Sequence, residues 1–447
     1  MKYHKFASVS TATILATALL LAGCGAPRSN PSTEQSGSAD GVPLDEEQSL
    51  TIWGWSGAPG ADAMQDVIDA FTQVHPNISV TYNEIANTDY ANKATLGLSS
   101  GQEIDVIGVF PNEWAKDNES YLLPVSEWDT TGDLSAELSE TSVEQTSKIF
   151  SDGILRAVPA YSSGDPVFFY NVDLLKEAGL TEPPATWDDV KKLTEGLEST
   201  EPDVATAIIP QDGWFQSSVG LAFIQEFDPT YWNKFVYDQG EWNTDAASQG
   251  LNLYQQIFSD GTLDKSTLDI SYSDAKTNFG EGKTAMVMSG TWDAGLLSEG
   301  YREANGFDID NVGAVAIPSA TGSEGGIRSY VDLALGIPTA SEHQEAAAAF
   351  IEFMVAGEGV DKWASSLLGV PAKADWTIPE GLLTSDQAVE GWKTIQNLVA
   401  NPQSDRFVLS NFENQQGSYF LEVARGSMTP DEALTAGEQD ASSGKYF

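Results

Sequence analysis

Residues 279–295 read FGEGKTAMVMSGTWDAG, and this short stretch contains the end of a helix, a strand and a turn. Gly280 and Gly282 are expected to end the helix, and residues 284–288 (TAMVM) form an apolar run of strand length. The turn at residues 289–291 then places Trp292 and Asp293 at the carboxyl end of that strand. Open α/β sheets bind their ligands at this edge, so the stretch predicts both the fold class and a ligand position.

Trp292 and Asp293 together suit a sugar. The C–H face of a pyranose packs on an indole, and its hydroxyl groups donate hydrogen bonds to a carboxylate. With 12 Trp and 66 acidic residues in the chain, such neighbours also arise by chance. A Trp that only packs at the end of the strand is therefore the open alternative.

Towards the N-terminus, strands and helices alternate from residue 50 onwards. Strand patterns at residues 50–53, 78–82 and 104–109 enclose helical patterns at 61–74 and 90–98. This β-α-β-α-β order predicts a mostly parallel, doubly wound sheet. Further along, residues 167–171 (VFFYN) form a dense strand, a short helix follows and ends at Gly179, and Thr186 is expected to cap the next helix.

The first 49 residues predict where the protein is located. Residues 1–23 carry Lys2 and Lys5 before an uncharged apolar segment, which is typical of a secretory signal peptide. Cys24 follows directly and is the only cysteine, an arrangement that resembles the lipobox of bacterial lipoproteins. Residues 24–49 are rich in Ser, Pro, Gly and acids, so we expect a flexible, lipid-anchored tether.

Composition limits the classes of ligand and the number of domains. The chain has 447 residues, of which 41% are hydrophobic, enough for two domain cores. Its 66 acidic and 22 basic residues give a formal net charge of -44. This balance argues against nucleic acid, anionic ligands and lipid surfaces as direct partners, because each of these requires basic patches.

The sequence gives no support for catalysis or for a metal. Only three histidines are present, and beyond the signal these are His75 and His343, so neither a Ser-His-Asp site nor a His metal cluster can be assembled. No phosphate-binding GxxxxGK[ST] motif occurs, and no cofactor is predicted. A pair of carboxylates for glycoside hydrolysis remains an alternative, since acidic residues are abundant.

Several motifs in register resemble one family. LTIWGWS, SSGQEIDVIGVF, FFYNVDLLKEAGLTEPPATWDDV, FGEGKTAMVMSGTWDAG, VGAVAIPSATG, YVDLALGIPTAS, GVPAKAD and GSMTPDEAL follow the order of the substrate-binding proteins of bacterial ATP-driven carbohydrate importers. This family of extracellular solute-binding proteins includes the maltose-binding protein. The resemblance extends over nearly the whole chain after residue 49.

The resemblance implies two doubly wound α/β lobes, joined by a three-crossing hinge, that close on a sugar. It implies crossings near Pro159, Pro318 and Pro371. The N-terminal lobe would then comprise residues 50–158 and 318–370, and the C-terminal lobe 159–317 and 371–447. It also implies a monomer without cofactor or enzymatic activity, lipid-anchored on the extracytoplasmic face of the cell membrane, that delivers an oligosaccharide to the permease subunits of an ABC importer.

Matching the family's motifs residue by residue implies a set of ligand contacts. The implied ligand-binding residues are Trp55, Asp89, Tyr90, Phe110, Asn112, Glu113, Tyr161, Ser162, Asp165, Trp214, Trp292, Asp293, Tyr330, Asp332 and Phe412. A packing role is the alternative for each aromatic residue. The favoured ligand is a short neutral oligosaccharide such as an α-glucoside or α-galactoside, and the alternatives are a secreted glycosidase and a receptor of the same fold for a non-sugar solute.

Overall fold

Strands of the chain fall into two separate sheets. The structure is a computed structural model that describes residues 43–56, 59–129, 132–320, 322, 325–366, 369–406 and 409–445. The predicted signal peptide, Cys24 and most of the tether lie outside these residues. The strands are β1 Gln48–Trp55, β2 Ile78–Ile85, β3 Val106–Val109, β4 Val158–Asp165, β5 Val167–Asn171, β6 Ala205–Ile208, β7 Thr284–Ser289, β8 Val312–Ala316, β9 Arg328–Gly336, β10 Val370–Pro371 and β11 Ser404–Asp405.

Helices connect most of these strands and cover the sheets. The α-helices are α1 Ala61–Val74, α2 Asn87–Ser100, α3 Glu113–Asp117, α4 Val125–Trp128, α5 Asp133–Ala136, α6 Glu140–Ile149, α7 Val172–Glu177, α8 Trp187–Thr200, α9 Gly213–Gln225, α10 Tyr231–Tyr237, α11 Asp245–Ser259, α12 Tyr272–Gly280, α13 Glu299–Ala304, α14 Gln344–Val355, α15 Val360–Ala364, α16 Asp386–Ala400, α17 Ser410–Arg425 and α18 Pro430–Ser442. Short 3-10 helices occupy Glu119–Tyr121, Lys265–Asp269 and Thr291–Leu297. Within the described residues, no helix is both long enough and apolar enough to cross a membrane.

The larger sheet has the strand order β10-β4-β9-β3-β1-β2, and β11 pairs with the start of β9. β1 pairs in parallel with both β2 and β3, which confirms the predicted β-α-β-α-β unit. α1 forms because its apolar residues recur every three or four positions, and that face is buried at Met64, Val67, Ile68 and Phe71. The first three strands thus form the predicted parallel unit flanked by helices, but β9 runs antiparallel to β3 and β4, and β10 runs antiparallel to β4, so the sheet is mixed and the expectation of a mostly parallel sheet was wrong.

The smaller sheet has the order β6-β7-β5-β8 and contains the strand within residues 279–295. α12 ends at Gly280, Gly282 adopts a left-handed φ of 69°, and β7 follows with every residue buried. The predicted helix, stop and strand are therefore confirmed. The turn that follows the strand winds into the 3-10 helix Thr291–Leu297, which contains Trp292 and Asp293.

One helix cap was predicted from the sequence, whereas one polar strand segment was not. Thr186 caps α8 as predicted, and it forms a capping box with Asp189. Residues 162–165, to which the sequence patterns assign no element, belong to β4; they are buried and pair with β9, and β10 pairs with Tyr161 and Ser162 on the other side. A polar segment can be buried in a strand when the neighbouring strands satisfy its backbone, which hydrophobic periodicity does not reveal.

The chain passes repeatedly between elements of the two sheets. The first passage lies between Asp165 at the end of β4 and Val167 at the start of β5, beyond the predicted crossing at Pro159. The second connects β8 to β9. After β10 the chain enters α16, which packs on β8 of the smaller sheet, returns to the larger sheet at β11, and then enters α17, which packs on α9 beside the smaller sheet. β10, at the third predicted crossing, pairs with β4 in the larger sheet. The lobe boundaries stay a prediction.

Candidate functional site

A cavity of about 310 Å³ lies between elements of the two sheets. Its aromatic and polar lining comes from both sides of the cleft and comprises Trp214, Trp292, Tyr330, Asp332, Arg406 and Asn414. A cavity of about 410 Å³ beside α7 and α16 is larger, but Tyr170 is the one aromatic residue among those that line it. The cavity between the sheets, hereafter the cleft pocket, combines ring faces with hydrogen-bonding groups.

Two indoles form one side of the cleft pocket. Trp214 is the second residue of α9, and Trp292 lies in the 3-10 helix after β7. Both side chains are half-buried, and their ring centroids are 5.5 Å apart with an angle of 45° between the planes. The ring of Phe215 stacks on that of Trp214, with 3.7 Å between the ring centroids. The indole N–H of Trp292 donates to the Tyr272 hydroxyl at 3.1 Å. Two supported ring faces therefore converge on one cavity.

Asp293, predicted to contact a ligand, uses its oxygens inside the protein. It accepts hydrogen bonds from the Tyr272 hydroxyl at 2.5 Å, Lys276 at 2.6 Å and the Ser289 hydroxyl at 2.5 Å. The residue is 4% exposed. Burial and the neighbouring Asp293 charge raise the pKa of Tyr272 well above its ordinary value, so its hydroxyl stays protonated as a donor. Asp293 therefore orients the Tyr272 hydroxyl, and that hydroxyl accepts the hydrogen bond from the indole of Trp292.

Asp332 and Tyr330 enter the cleft pocket from β9. They are two residues apart on a strand and thus lie on the same face. Asp332 is half-buried and accepts a hydrogen bond from the Ser163 hydroxyl at 3.1 Å. Burial raises the pKa of Asp332 to about 6, although the bond from Ser163 opposes this shift. Near neutral pH, Asp332 is a carboxylate acceptor beside two indoles.

Arg406 was missed by sequence reasoning, which found no basic residue for the site. It follows β11 directly, its side chain is 2% exposed, and one guanidinium nitrogen lies 2.8 Å from a carboxylate oxygen of Asp165. Its guanidinium carbon lies over three rings of the cleft pocket, 5.2 Å from the centroid of Trp214, 5.5 Å from Trp292 and 5.2 Å from Tyr330. No local motif marks Arg406, because Asp165 is distant in the chain.

The residues predicted in the first three strand-end loops form a separate group. Trp55 is 2% exposed and packs on Tyr90 at 5.0 Å and on Phe110 at 4.9 Å. The Tyr90 hydroxyl donates to the carbonyl of Gly108. Together with Trp114, 6.1 Å from Tyr90, these rings form what we call the N-terminal aromatic cluster. The structure does not bring them into the lining of the cleft pocket.

The polar residues predicted near this cluster have local roles. Asp89 is exposed and pairs with Lys93 at 3.2 Å, one helical turn away. The side chain of Asn112 caps α3 by accepting from the backbone N–H of Trp114 at 2.9 Å. Glu113 is exposed in the first turn of that helix. Asp89, Asn112 and Glu113 are not among the residues that line the cleft pocket.

The remaining predicted residues are buried. Tyr161 packs on Trp363 at 5.4 Å, and the Ser162 hydroxyl lies 2.9 Å from that of Ser142. Phe412 is 0% exposed because its ring packs against Phe235 at 5.2 Å and Trp242 at 4.9 Å. Asn414, two residues further along α17, lines the pocket instead and was not predicted. Among the described residues, no group of three or more His, Cys, Asp or Glu side chains is placed to hold a metal ion.

Comparisons with known proteins agree with this architecture. A sequence profile of the family described as bacterial extracellular solute-binding protein matches residues 55–360. An uncharacterized ABC transporter extracellular-binding protein from Pyrococcus horikoshii is 25% identical over 258 residues, and the match spans 55% of this chain and only 57% of that protein. A putative binding protein from Brucella abortus is 21% identical over 385 residues, 79% of this chain and 87% of the relative.

A solved structure supports the fold. The sugar-binding protein MalE from the phytopathogen Xanthomonas citri superposes with a TM-score of 0.69 at 19% identity, covering 88% of this chain and 96% of the other. The likeness confirms the predicted α/β fold of two lobes.

Proposed function

The chain belongs to the family of bacterial extracellular solute-binding proteins, and we propose that it captures a neutral oligosaccharide in the cleft pocket for an ABC importer. The observation that carries this proposal is the convergence of Trp214 and Trp292 on one cavity between the two sheets. Indole faces pack against the C–H face of a sugar ring. The names of two similar proteins, an ABC transporter extracellular-binding protein and a sugar-binding protein, are consistent with it.

Polar groups of the cleft pocket suit the hydroxyl rim of a sugar. The Asp332 carboxylate accepts hydrogen bonds, and the Asn414 amide both donates and accepts. Hydrogen bonds to a charged acceptor contribute about 1.5–3 kcal/mol each. Ring stacking with a few directed hydrogen bonds is the combination by which apolar pockets select an orientation.

Charges around the cleft pocket favour a neutral ligand. Arg406 is the basic residue in the lining, and Asp165 lies against its guanidinium. Asp332 adds a further negative charge near neutral pH. An anionic ligand would therefore meet a neutralised cation and a repelling carboxylate, which supports the neutral class.

A screen of neutral oligosaccharides tests the proposal. Thermal melts of the protein with di- to tetrasaccharides, including α-glucosides and α-galactosides, should show stabilisation by one or a few sugars. A ligand at a hundred times its Kd stabilises the folded state by about 2.7 kcal/mol. Melts unchanged by every sugar, with a shift from a peptide or polyamine, would instead favour a non-sugar solute receptor.

The same sugar decides between binding and hydrolysis. After prolonged incubation with the protein, chromatography should return the oligosaccharide uncut, because we propose a receptor and not an enzyme. Cleavage products that vanish in a heat-denatured control would favour the glycosidase alternative.

We extend the proposal to the location and partners of the protein. Cys24 would be lipidated and anchor a monomer to the extracytoplasmic face of the membrane, where the closed protein delivers its sugar to the permease. The spacing of Cys24 after an apolar signal supports this. Cys24→Ser should abolish partitioning into detergent, whereas wild-type partitioning in that variant would contradict the anchor.

A further inference from the structure

Three of the passages between the sheets carry a buried charged residue. Asp165 ends β4, Arg328 begins β9, and Arg406 follows β11. Asp165 and Arg328 are direct partners across the β4–β9 ladder, and the backbone N–H of Arg406 donates to the Ser329 carbonyl at 3.0 Å. The three passages therefore lie side by side, joined by backbone pairing.

Two buried ion pairs connect these passages. Arg406 lies 2.8 Å from Asp165, and Arg328 lies 2.8 Å from Glu413 of α17. None of the four side chains is more than 4% exposed. Removing one member of such a pair leaves an uncompensated buried charge, so each pair constrains how the passages can move.

The two pairs differ in what their guanidinium groups touch. Arg328 lies over the ring of Trp232, which is 0% exposed in the core. Arg406 lies over rings that line the cleft pocket. Two of those rings, Trp214 and Trp292, belong to elements on the smaller sheet, and Tyr330 belongs to β9 of the larger sheet. Arg406 thus contacts pocket rings on both sides of the cleft, whereas the ring that Arg328 contacts lies in the core.

A guanidinium can stack on rings and pair with a carboxylate simultaneously, because its donors point outward in the plane of the group. We infer that Arg406 is a positioning residue, which fixes the relative orientation of Trp214, Trp292 and Tyr330 and links them to the hinge through Asp165. Any rotation of one lobe against the other changes the contacts of Arg406. A ligand that holds the rings in one arrangement therefore biases the hinge through this side chain.

Two charge-neutral double variants separate this role from simple core stability. Asp165→Asn with Arg406→Gln removes the pair and the stacked cation without leaving a buried charge unpaired. The matched control, Arg328→Gln with Glu413→Gln, removes the neighbouring and equally buried pair, whose guanidinium lies over the core ring of Trp232 and not over the pocket rings. Both variants are made in the full chain, and their melting temperatures report the shared structural cost.

The first readout needs no ligand. Proteins labelled with 5-fluorotryptophan give one fluorine resonance per indole, and Trp→Phe substitutions assign those of Trp214 and Trp292. Asp165→Asn/Arg406→Gln should shift or broaden both resonances, while the control pair should leave them in place. Unchanged resonances in the first variant, or equal changes in the two variants, would overturn the inference.

The second readout rests on the proposed function and uses maltotriose and raffinose as probes. Whichever sugar the wild type binds should lose about tenfold in affinity in Asp165→Asn/Arg406→Gln, the effect of one desolvated cation–ring interaction, and less than about twofold in the control. Equal losses in both would overturn the inference. If the wild type binds neither sugar, the thermal screen of di- to tetrasaccharides decides the proposed ligand class, and the fluorine spectra still test Arg406.

Arg406→Lys covers the case in which the first double variant does not fold. Lysine keeps the positive charge beside Asp165 but lacks the planar group. In Arg406→Lys the fluorine resonances of Trp214 and Trp292 should shift, and the sugar affinity should fall by less than in the double variant. Wild-type resonances together with wild-type affinity in Arg406→Lys would contradict the positioning role.

Discussion

The N-terminal aromatic cluster and the aromatic residues of the cleft pocket look alike in the sequence but differ in the fold. Trp55 and Phe110 of the cluster and Trp214 and Trp292 of the pocket lie at or just after the ends of strands, and all four were predicted to contact the ligand. Trp55 is covered, and a Cβ added at Gly108 would lie 2.8 Å from its ring, so this glycine allows the indole to pack flat on the backbone. Trp214 and Trp292 remain half-buried at a cavity. Position after a strand therefore does not define a binding aromatic; an uncovered ring face does.

The largest expected effect is on stability, from Trp55→Ala. The substitution removes a fully packed indole, so the free energy of unfolding should fall by about 3–5 kcal/mol in urea titrations. The molecules that remain folded should bind the sugar with near wild-type affinity. A normal urea midpoint combined with lost affinity would show that Trp55 belongs to the binding site.

Trp292→Ala should show the opposite pattern. Loss of one stacking face should weaken sugar binding by about 2–4 kcal/mol in calorimetric titrations, or roughly 30- to 1000-fold, with a smaller change in stability than for Trp55→Ala. Trp114→Ala is the matched control, since Trp114 is also half-buried but belongs to the N-terminal aromatic cluster. If Trp292→Ala bound the sugar as tightly as Trp114→Ala, Trp292 would not be a ligand contact.

Asp332→Asn should make the protein more stable at neutral pH. The pKa of Asp332 is about 6 in the folded protein, against about 3.9 for an unfolded Asp. A raised carboxyl pKa means that folding favours the protonated form, so wild-type stability is lost as pH rises from about 4 to 6. The amide avoids this cost, which the difference between the two pKa values sets at about 3 kcal/mol well above pH 6.

Urea titrations of both proteins at pH 4 and pH 7.5 measure this difference, and it should grow with pH. Asp89→Asn serves as an exposed control. A wild type more stable than Asp332→Asn at pH 7.5 would contradict a desolvated carboxylate. The variant should also bind the sugar more weakly near neutral pH, because it loses a charged acceptor.

The smallest expected effect comes from Asp89→Asn itself. Asp89 and Lys93 are each 57% exposed, so their ion pair should contribute less than about 0.5 kcal/mol to stability. Sugar affinity should not change, because Asp89 does not line the cleft pocket as described. A clear loss of affinity in this variant would restore the family-based assignment of Asp89 to the ligand.

Local sequence patterns predicted much of the fold. The helix at residues 61–74 and the strand of residues 284–288 follow from side-chain periodicity, and the cap at Thr186 follows from the chemistry of a helix end. Residues 162–165 could not be recognised as a strand, because they are polar and their burial depends on β9 and β10, which are distant in sequence.

The pocket was predictable only where a residue type indicates its chemistry. Trp214, Trp292, Tyr330 and Asp332 were predicted and line the cavity, whereas Phe412 was predicted and is enclosed by core rings. Arg406 carries no local signal, since its partner Asp165 and its three rings come together only in the folded chain. Distinguishing a covered ring from an open one requires the packing that sequence patterns omit.

Hydroxyl-radical footprinting read by mass spectrometry tests the central claim most directly. The oxidation of individual tryptophans is compared with and without a saturating concentration of the sugar selected by the thermal screen. We predict that Trp214 and Trp292 become strongly protected while Trp114 is oxidised equally in both states. Unchanged oxidation of Trp214 and Trp292 with sugar bound, or protection confined to Trp114, would contradict a ligand site in the cleft pocket.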